Sequence, residues 1–402
     1  MPETLSCHVD WFITETDRRS DVTVRIGDGR ILEVIDGLAA DATDLGPVAL
    51  VPGFVNAHTH LEFSRLSQPF PSTGQFTDWI RAVVKYRAAH SVQTSEAIRS
   101  GLAECVRSGT TLVGDIATVG WSSEDYSSVE LETIVFQELL GLSPQRVVHQ
   151  KELAEAHLSV KDHGLTPGLS PHAPYSTDLE LVRTSVKISR RTGCPIAIHL
   201  AESPGELELL SSGTGEFREL LTEFGIWNDE LFRISRRPMD YLKVLADAPR
   251  VLIVHGNYLD DEELQFVASQ PQMTLVYCPR THAAFGHTEH PWRRLMELGG
   301  RVAIGTDSRA SNPDLSVFAE LQYLAQRPPD YSHFDLLRLG TKSGRIALGH
   351  GANVAASQSV DMTLIGSPGS RIQNPETELF SQRNHVCGTM IHGRWASKPI
   401  SF

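Results

Sequence analysis

Between residues 48 and 306 the sequence alternates eight short, nearly unbroken apolar runs with longer stretches of helical spacing. The runs are 48–57, Thr110–Ile116, Glu132–Leu139, Leu165–Ser170, Pro195–Leu200, Arg250–His255, Met273–Cys278 and Arg301–Thr306. A strand with one face in water alternates apolar and polar residues. An unbroken run instead fits a strand covered on both faces, as in a parallel sheet. Between the runs, segments such as Thr94–Ser108, Leu179–Thr192 and Leu315–Gln326 repeat apolar residues at helical intervals. Eight strand–helix alternations predict an α/β fold, a (β/α)₈ TIM-type barrel.

The two ends of the chain read differently. Val22-Thr23-Val24-Arg25-Ile26 and Ile31-Leu32-Glu33-Val34-Ile35 flank the tight-turn sequence Gly27-Asp28-Gly29, which predicts an antiparallel hairpin. Met362–Ile365 and His385–Gly393 are also strand-like. Residues 1–50 and 352–402 are therefore expected to form one small β-sandwich domain built from both termini, with the barrel over 51–351. The long connection 203–249 is an insertion that either lids the barrel mouth or packs as a surface excursion.

Bulk properties remove several functional classes. Of 402 residues, 41% are hydrophobic and 21% charged, as in an ordinary soluble globular protein. The formal net charge of −13 opposes binding to a nucleic acid polymer or an anionic membrane and leaves a small molecule as the expected partner. No apolar run approaches the ~20 residues of a membrane span, and Met1-Pro2-Glu3-Thr4 does not resemble a signal peptide. Five scattered cysteines without a Cys-x-x-Cys pair suit a reducing, cytoplasmic setting. A homodimer is the symmetric assembly to expect first.

In a barrel the reactive groups sit at the C-terminal strand ends, and here those ends carry ionisable residues. The first run closes with His58-Thr59-His60, whose i, i+2 spacing puts both imidazoles on one face. The fourth leads into His172, the fifth ends with His199 followed by Glu202, the sixth ends with His255, and the eighth leads to Asp307. One such histidine is usually structural; five around one rim, with an aspartate, suggest a metal centre.

This set, in this order, together with Pro52-Gly53-Phe54-Val55-Asn56-Ala57-His58-Thr59-His60, resembles the amidohydrolase superfamily, and within it the mononuclear deaminase branch. The resemblance implies that His58, His60, His199 and Asp307 hold one divalent ion, Zn²⁺ by first choice and Fe²⁺ as the alternative. It further implies that Glu202 is the proton shuttle, that His255 orients the nucleophile, and that Asp307 also accepts a proton. Three imidazoles and a carboxylate would leave one coordination position for water, whose pKa the ion lowers toward ~7. The reaction implied is hydrolysis of a non-peptide C–N bond, releasing ammonia from an amino-substituted heterocycle or adenine-type nucleoside.

Finer likeness, in Ser170-Pro171-His172-Ala173-Pro174-Tyr175, His199-Leu200-Ala201-Glu202-Ser203, Phe76-Thr77-Asp78-Trp79-Ile80 and Cys278-Pro279-Arg280, is to 6-aminodeoxyfutalosine deaminases, with S-adenosylhomocysteine and guanine deaminases also near. The chain departs from that pattern at Thr281-His282, at Pro313-Asp314-Leu315 and at Ser357-Gln358-Ser359-Val360-Asp361. Candidate substrate contacts are His172, Arg280, Glu62, Trp79 and Asn312, with Arg280 suited to an anionic group or, equally, to a rim salt bridge. Glu138 is either a carboxylate bridging a second ion or a loop anchor. The rival functions are a chlorohydrolase or an imidazolonepropionase-like cyclic-amide hydrolase on the same site, and, more remotely, a binding protein that has lost catalysis.

Overall fold

The computed structural model describes residues 4–71, 74–90, 93–160, 164–327, 331–351, 360–367 and 369–399. Eight parallel strands form one sheet in sequence order: β1 (Phe54–Thr59), β2 (Thr110–Ala117), β3 (Glu132–Leu139), β4 (Leu165–Pro171), β5 (Ile196–Leu200), β6 (Val251–His255), β7 (Met273–Tyr277) and β8 (Val302–Ile304). A parallel bridge between Thr59 and Asp307 joins the first strand to the segment after the last and closes the barrel.

Neighbouring residues on one strand fall into different cores, which explains the unbroken apolar runs. Ala197, Leu252, Val276 and Ala303 belong to one cluster drawn from nearly every barrel strand. Ile196, Ile253, Leu275 and Ile304 pack instead with helical residues such as Val182, Leu264 and Leu321. Both faces of the strands are thus buried, as expected of a parallel sheet under helices. The predicted helices appear as Thr94–Arg107, Leu179–Thr192 and Val317–Ala325. The second starts on an Asp178 side-chain cap and stops at Gly193, whose φ of +80° ends the helix at low steric cost.

The terminal strands make a separate mixed sheet, the form taken by the expected β-sandwich. Its order is Arg394–Ser397, His385–Ile391, Met362–Gly366, Val48–Pro52, Leu5–Ile13, Arg18–Gly27 and Arg30–Asp36, with Thr43–Asp44 paired to Leu5–Ile13. The predicted hairpin turns at Asp28 and Gly29, both at positive φ (50° and 71°). One sequence reading is corrected. The run 48–57 is two strands, because Val48–Pro52 pairs with Met362–Gly366 in the terminal sheet while Phe54–Thr59 enters the barrel. Gly53 is the joint, where any Cβ would collide with the Thr111 side chain. The departure at 357–359 lies outside the described residues. No described helix is long and apolar enough to cross a membrane, and all five cysteines are buried as free thiols.

Candidate metal centre and active-site cavity

Because every barrel strand runs the same way, their C-terminal ends converge on one rim. His58 and His60, at the end of β1, have ring centroids 4.9 Å apart. His199, on β5, lies 4.9 Å from His58 and 5.4 Å from His60. His60 Nε2 and His199 Nε2 are 3.3 Å apart. Asp307 Oδ1 stands 3.7 Å from His58 Nε2 and 3.8 Å from His60 Nε2. The three histidines are buried, and among the described residues they form the one three-donor group whose atoms all lie within 4.8 Å of one another.

These residues fit a bound divalent ion. Both ring nitrogens of His58 and the Nδ1 of His60 are buried without a protein partner, a costly arrangement unless something else satisfies them. His199 Nδ1 is within hydrogen-bond distance of the His172 carbonyl oxygen at 3.0 Å, so it donates and leaves the Nε2 lone pair facing the cluster. Tetrahedral Zn²⁺ with bonds of ~2.0–2.1 Å needs donor atoms about 3.3 Å apart. Burial first, then mutual repulsion, holds His60 and His199 well below the usual histidine range, hence neutral.

The other rim residues are placed with comparable definition. Glu202 Oε1 lies 3.2 Å from His255 Nε2. Burial, with the Asp307 and Glu206 carboxylates adding to it, pushes the Glu202 carboxyl well above its usual range. The Glu202 loop is fixed from both sides. Glu206, in the first turn of the following helix, accepts from the Ala201 and Glu202 amides at 2.8 and 3.0 Å, and Asn257 donates to the Glu202 carbonyl at 2.8 Å. His290 Nε2 lies 2.8 Å from the His255 carbonyl oxygen. Ser311 donates to Asp307 Oδ2 at 2.6 Å. Ala201, His255 and Asp307 take φ values of +54°, +66° and +56°. Such conformations cost ~1–3 kcal/mol each in a non-glycine residue, and here they sit beside the candidate ligands.

A cavity of about 1130 Å³ opens above this floor, with His60, His172, His199, Glu202, His255 and Asp307 among its lining. One wall is the helix Phe76–His90, which presents Trp79, Val83 and Arg87. A second part of the wall comes from the 203–249 insertion, through Leu220, Phe224 and Trp227. The two walls are joined: Thr77 Oγ1 donates to Glu216 at 2.9 Å, and Arg81 reaches Glu223 with two donors at 2.9 and 2.8 Å. Phe76, Trp79 and Phe285 share an aromatic cluster, with Phe76 also 6.3 Å from Phe217. The 203–249 insertion thus packs against the Phe76–His90 helix and walls the cavity.

The candidate substrate contacts divide. Trp79 and His172 line the cavity. Arg280 does not, and its donors are taken by Glu320 Oε1 at 2.7 Å and by both oxygens of Asp314 at 2.9 and 2.5 Å, so it is the rim salt bridge. Asn312 is fully buried, donating to the Thr306 carbonyl at 2.8 Å and to Glu320 at 2.6 Å. Glu62 accepts from Arg87 at 2.7 and 3.1 Å and lies outside the cavity lining.

Arg87 is the residue that the sequence reading missed. Its guanidinium also lies 3.4 Å from Glu138, whose Oε1 is 3.7 Å from His172 Nε2. Burial disfavours its charge, but the Glu138 and Glu62 carboxylates outweigh that and hold it above its usual range. Glu138 is thus paired with Arg87 on one side and faces His172 on the other. The signal was the helical stripe Trp79, Val83, Arg87 at i, i+4, i+8.

The sequence profile of the amidohydrolase family matches residues 49–396. The aminodeoxyfutalosine deaminase of Nitratiruptor is 27% identical over 332 residues, covering 79% of each chain. The 5-methylthioadenosine/S-adenosylhomocysteine deaminase of Pyrococcus furiosus is 26% identical over 354 residues, 82% of this chain and 78% of that one. The crystal structure of Helicobacter pylori aminofutalosine deaminase superposes with a TM-score of 0.82 at 22% identity, covering 98% of this chain and all of the other (100%). Zinc-bound atrazine chlorohydrolase of Arthrobacter aurescens gives a TM-score of 0.80 at 17% identity over 98% and 96% of the chains, a likeness of fold. With the family profile spanning the whole barrel and the C-terminal strands of the terminal sheet, the chain belongs to the amidohydrolase family.

Proposed function

We propose that the protein is a mononuclear metal-dependent deaminase that hydrolyses the exocyclic amino group of an adenine-type nucleoside, with aminodeoxyfutalosine as the first substrate to test. The observation that carries this is the placement of Glu202, buried and 3.2 Å from His255, on the cavity floor beside the histidine cluster. A deaminase must protonate both the ring and the departing amine.

An ion held by His58, His60, His199 and Asp307 would supply Lewis acidity and a water-derived nucleophile at neutral pH. Glu202, kept protonated by burial, holds its proton for the ring nitrogen and later for the leaving amine. Asp307 has one oxygen occupied by Ser311, leaving Oδ1, on the histidine side, to accept a proton. His255 is neutral because burial disfavours its charged form, and it sits where it can donate to developing negative charge. Trp79 and His172 are proposed to contact the substrate.

Two further facts support the reading. The curated relatives from Nitratiruptor and Pyrococcus furiosus are nucleoside deaminases, and the Helicobacter pylori enzyme has been solved with methylthio-coformycin. The cavity of about 1130 Å³ also exceeds the usual ~300–1,000 Å³ of small-molecule sites, leaving room for an adenosine with an extended 5′ group. The test is ammonia release from adenosine, 5′-methylthioadenosine, S-adenosylhomocysteine, aminodeoxyfutalosine and guanine, beside chloride release from a chlorotriazine and ring opening of imidazolonepropionate. Ammonia from at least one nucleoside supports deamination. Chloride release or ring opening without ammonia replaces it with a rival hydrolase, and inertness of fully metallated protein to the whole panel favours a binding role.

A further inference from the structure

Thr281-His282, one of the points at which the chain departs from the deaminase pattern, takes no part in the proposed chemistry. His282 lies on the short helix Pro279–Ala284 after β7, and His287 follows in the next loop. Their ring centroids are 5.3 Å apart at an interplanar angle of 50°. That separation falls within the 4.9–5.4 Å spanned by His58, His60 and His199. The Nε2 atoms of both His282 and His287 are buried without a protein partner. Both residues are half-buried overall, with the rest of each ring reaching toward the surface while Nε2 stays inside.

The remaining nitrogens are already engaged, as ligand histidines require. His282 bonds to the Thr288 backbone, which leaves a lone pair on Nε2. His287 Nδ1 is 3.0 Å from the Tyr258 hydroxyl, which can accept its proton and leave His287 Nε2 equally bare. Burial lowers both imidazoles to about 4, so both are neutral at pH 7. The neighbouring His290 is not a third donor. Its Nε2 faces the His255 carbonyl at 2.8 Å and its Nδ1 accepts from the Trp292 amide at 3.0 Å.

We propose that His282 and His287 form a second metal-binding site, distinct from the barrel centre, that takes an imidazole-preferring ion such as Zn²⁺, Ni²⁺ or Cu²⁺ with water as the other ligands. Two neutral nitrogens and no carboxylate select such ions over Mg²⁺ or Ca²⁺. The site is tied to the active site through two contacts. Tyr258 hydrogen-bonds to the Ala201 carbonyl through its own amide at 3.1 Å, and Phe285, between the two histidines in sequence, packs 5.4 Å from Trp79 in the cavity wall.

The test is calorimetric titration of the enzyme, already holding one equivalent of zinc, with ZnCl₂. Wild type should take up one further equivalent. His282→Asn and His287→Asn should each abolish that uptake while metal analysis still returns the first equivalent. Tyr258→Phe, which removes no ligand, should weaken it about tenfold. A wild type that saturates at one equivalent overturns the site, as does uptake that is unchanged in both histidine variants. If either histidine variant fails to fold, an unchanged affinity in Tyr258→Phe counts against it.

Discussion

The floor and the wall of the cavity are built by different means. The floor is held by the barrel itself. The Thr306 and Asp307 amides both donate to the His58 carbonyl at 3.1 Å, and Thr59 Oγ1 donates to the Asp307 carbonyl at 2.7 Å. The wall is held by side chains, several of them exposed, such as Arg81 on Glu223, and its apolar members include Val84 and Ile226, 42% and 48% exposed. Backbone ties fix atoms to the tolerance that catalysis needs, whereas side-chain ties can be exchanged without disturbing the sheet. Under the proposed function, the bond-breaking step belongs to the floor and the choice of substrate to the wall.

Variants can break that division, beginning with the largest effect. His60→Ala, or exhaustive chelation, should abolish turnover, with metal content well below one equivalent and a near-native circular dichroism spectrum. Retained activity would remove the ion from the chemistry. Glu202→Gln should lower kcat by ~10²–10⁴ while metal content stays at one equivalent. A change confined to KM would instead move Glu202 from the floor to the wall.

Arg87 joins the two regions. Arg87→Met should leave Glu62 and Glu138 facing each other uncompensated and cost about 3 kcal/mol in denaturant unfolding. Little loss of stability together with a large loss of kcat would make Arg87 part of the chemistry.

Beneath the floor, Asp115 accepts from the Tyr126 hydroxyl and, at 2.9 Å, from the Leu61 amide directly after His60. Burial raises its carboxyl to about 7, against those bonds, which pull it down. The folded-state pKa lies above the unfolded ~3.9, so its contribution is complete below pH ~4 and is lost as pH rises through 7. Stability relative to Asp115→Asn should therefore be more favourable to wild type at pH 5 than at pH 8, by on the order of 2–3 kcal/mol. No pH dependence in that difference would place the charge elsewhere. The smallest effect is expected from Arg81→Ala, below ~1 kcal/mol in stability, with a raised KM and an unchanged kcat. A fall in kcat instead would show that the wall acts on the reaction as well as on selection.

The floor was legible in the sequence because each of its members stands at the end of an apolar run, where local pattern alone gives position and direction. The wall was not. Arg87 shares a face with Trp79 and Val83, but its carboxylate partners come from the short turn after β1 and from β3, and no local pattern pairs them. The salt bridges of Arg280 were hidden for the same reason, since Asp314 and Glu320 lie 34 and 40 residues further on. The break at Gly53 was hidden because the strand that claims Val48–Pro52, Met362–Gly366, is more than three hundred residues away.

The Thr59–Asp307 bridge also has a consequence for how the chain folds. Bringing these two residues together closes a loop of nearly the whole barrel, among the most distant pairings in the sheet, and such closures carry an entropy cost that short-range contacts do not. Because His58 and Asp307 flank that seam, the four donors can assemble only when the last strand docks. An ion recruited there would act as a rivet on that long-range closure, so metal uptake during refolding is expected to report completion of the barrel rather than its beginning.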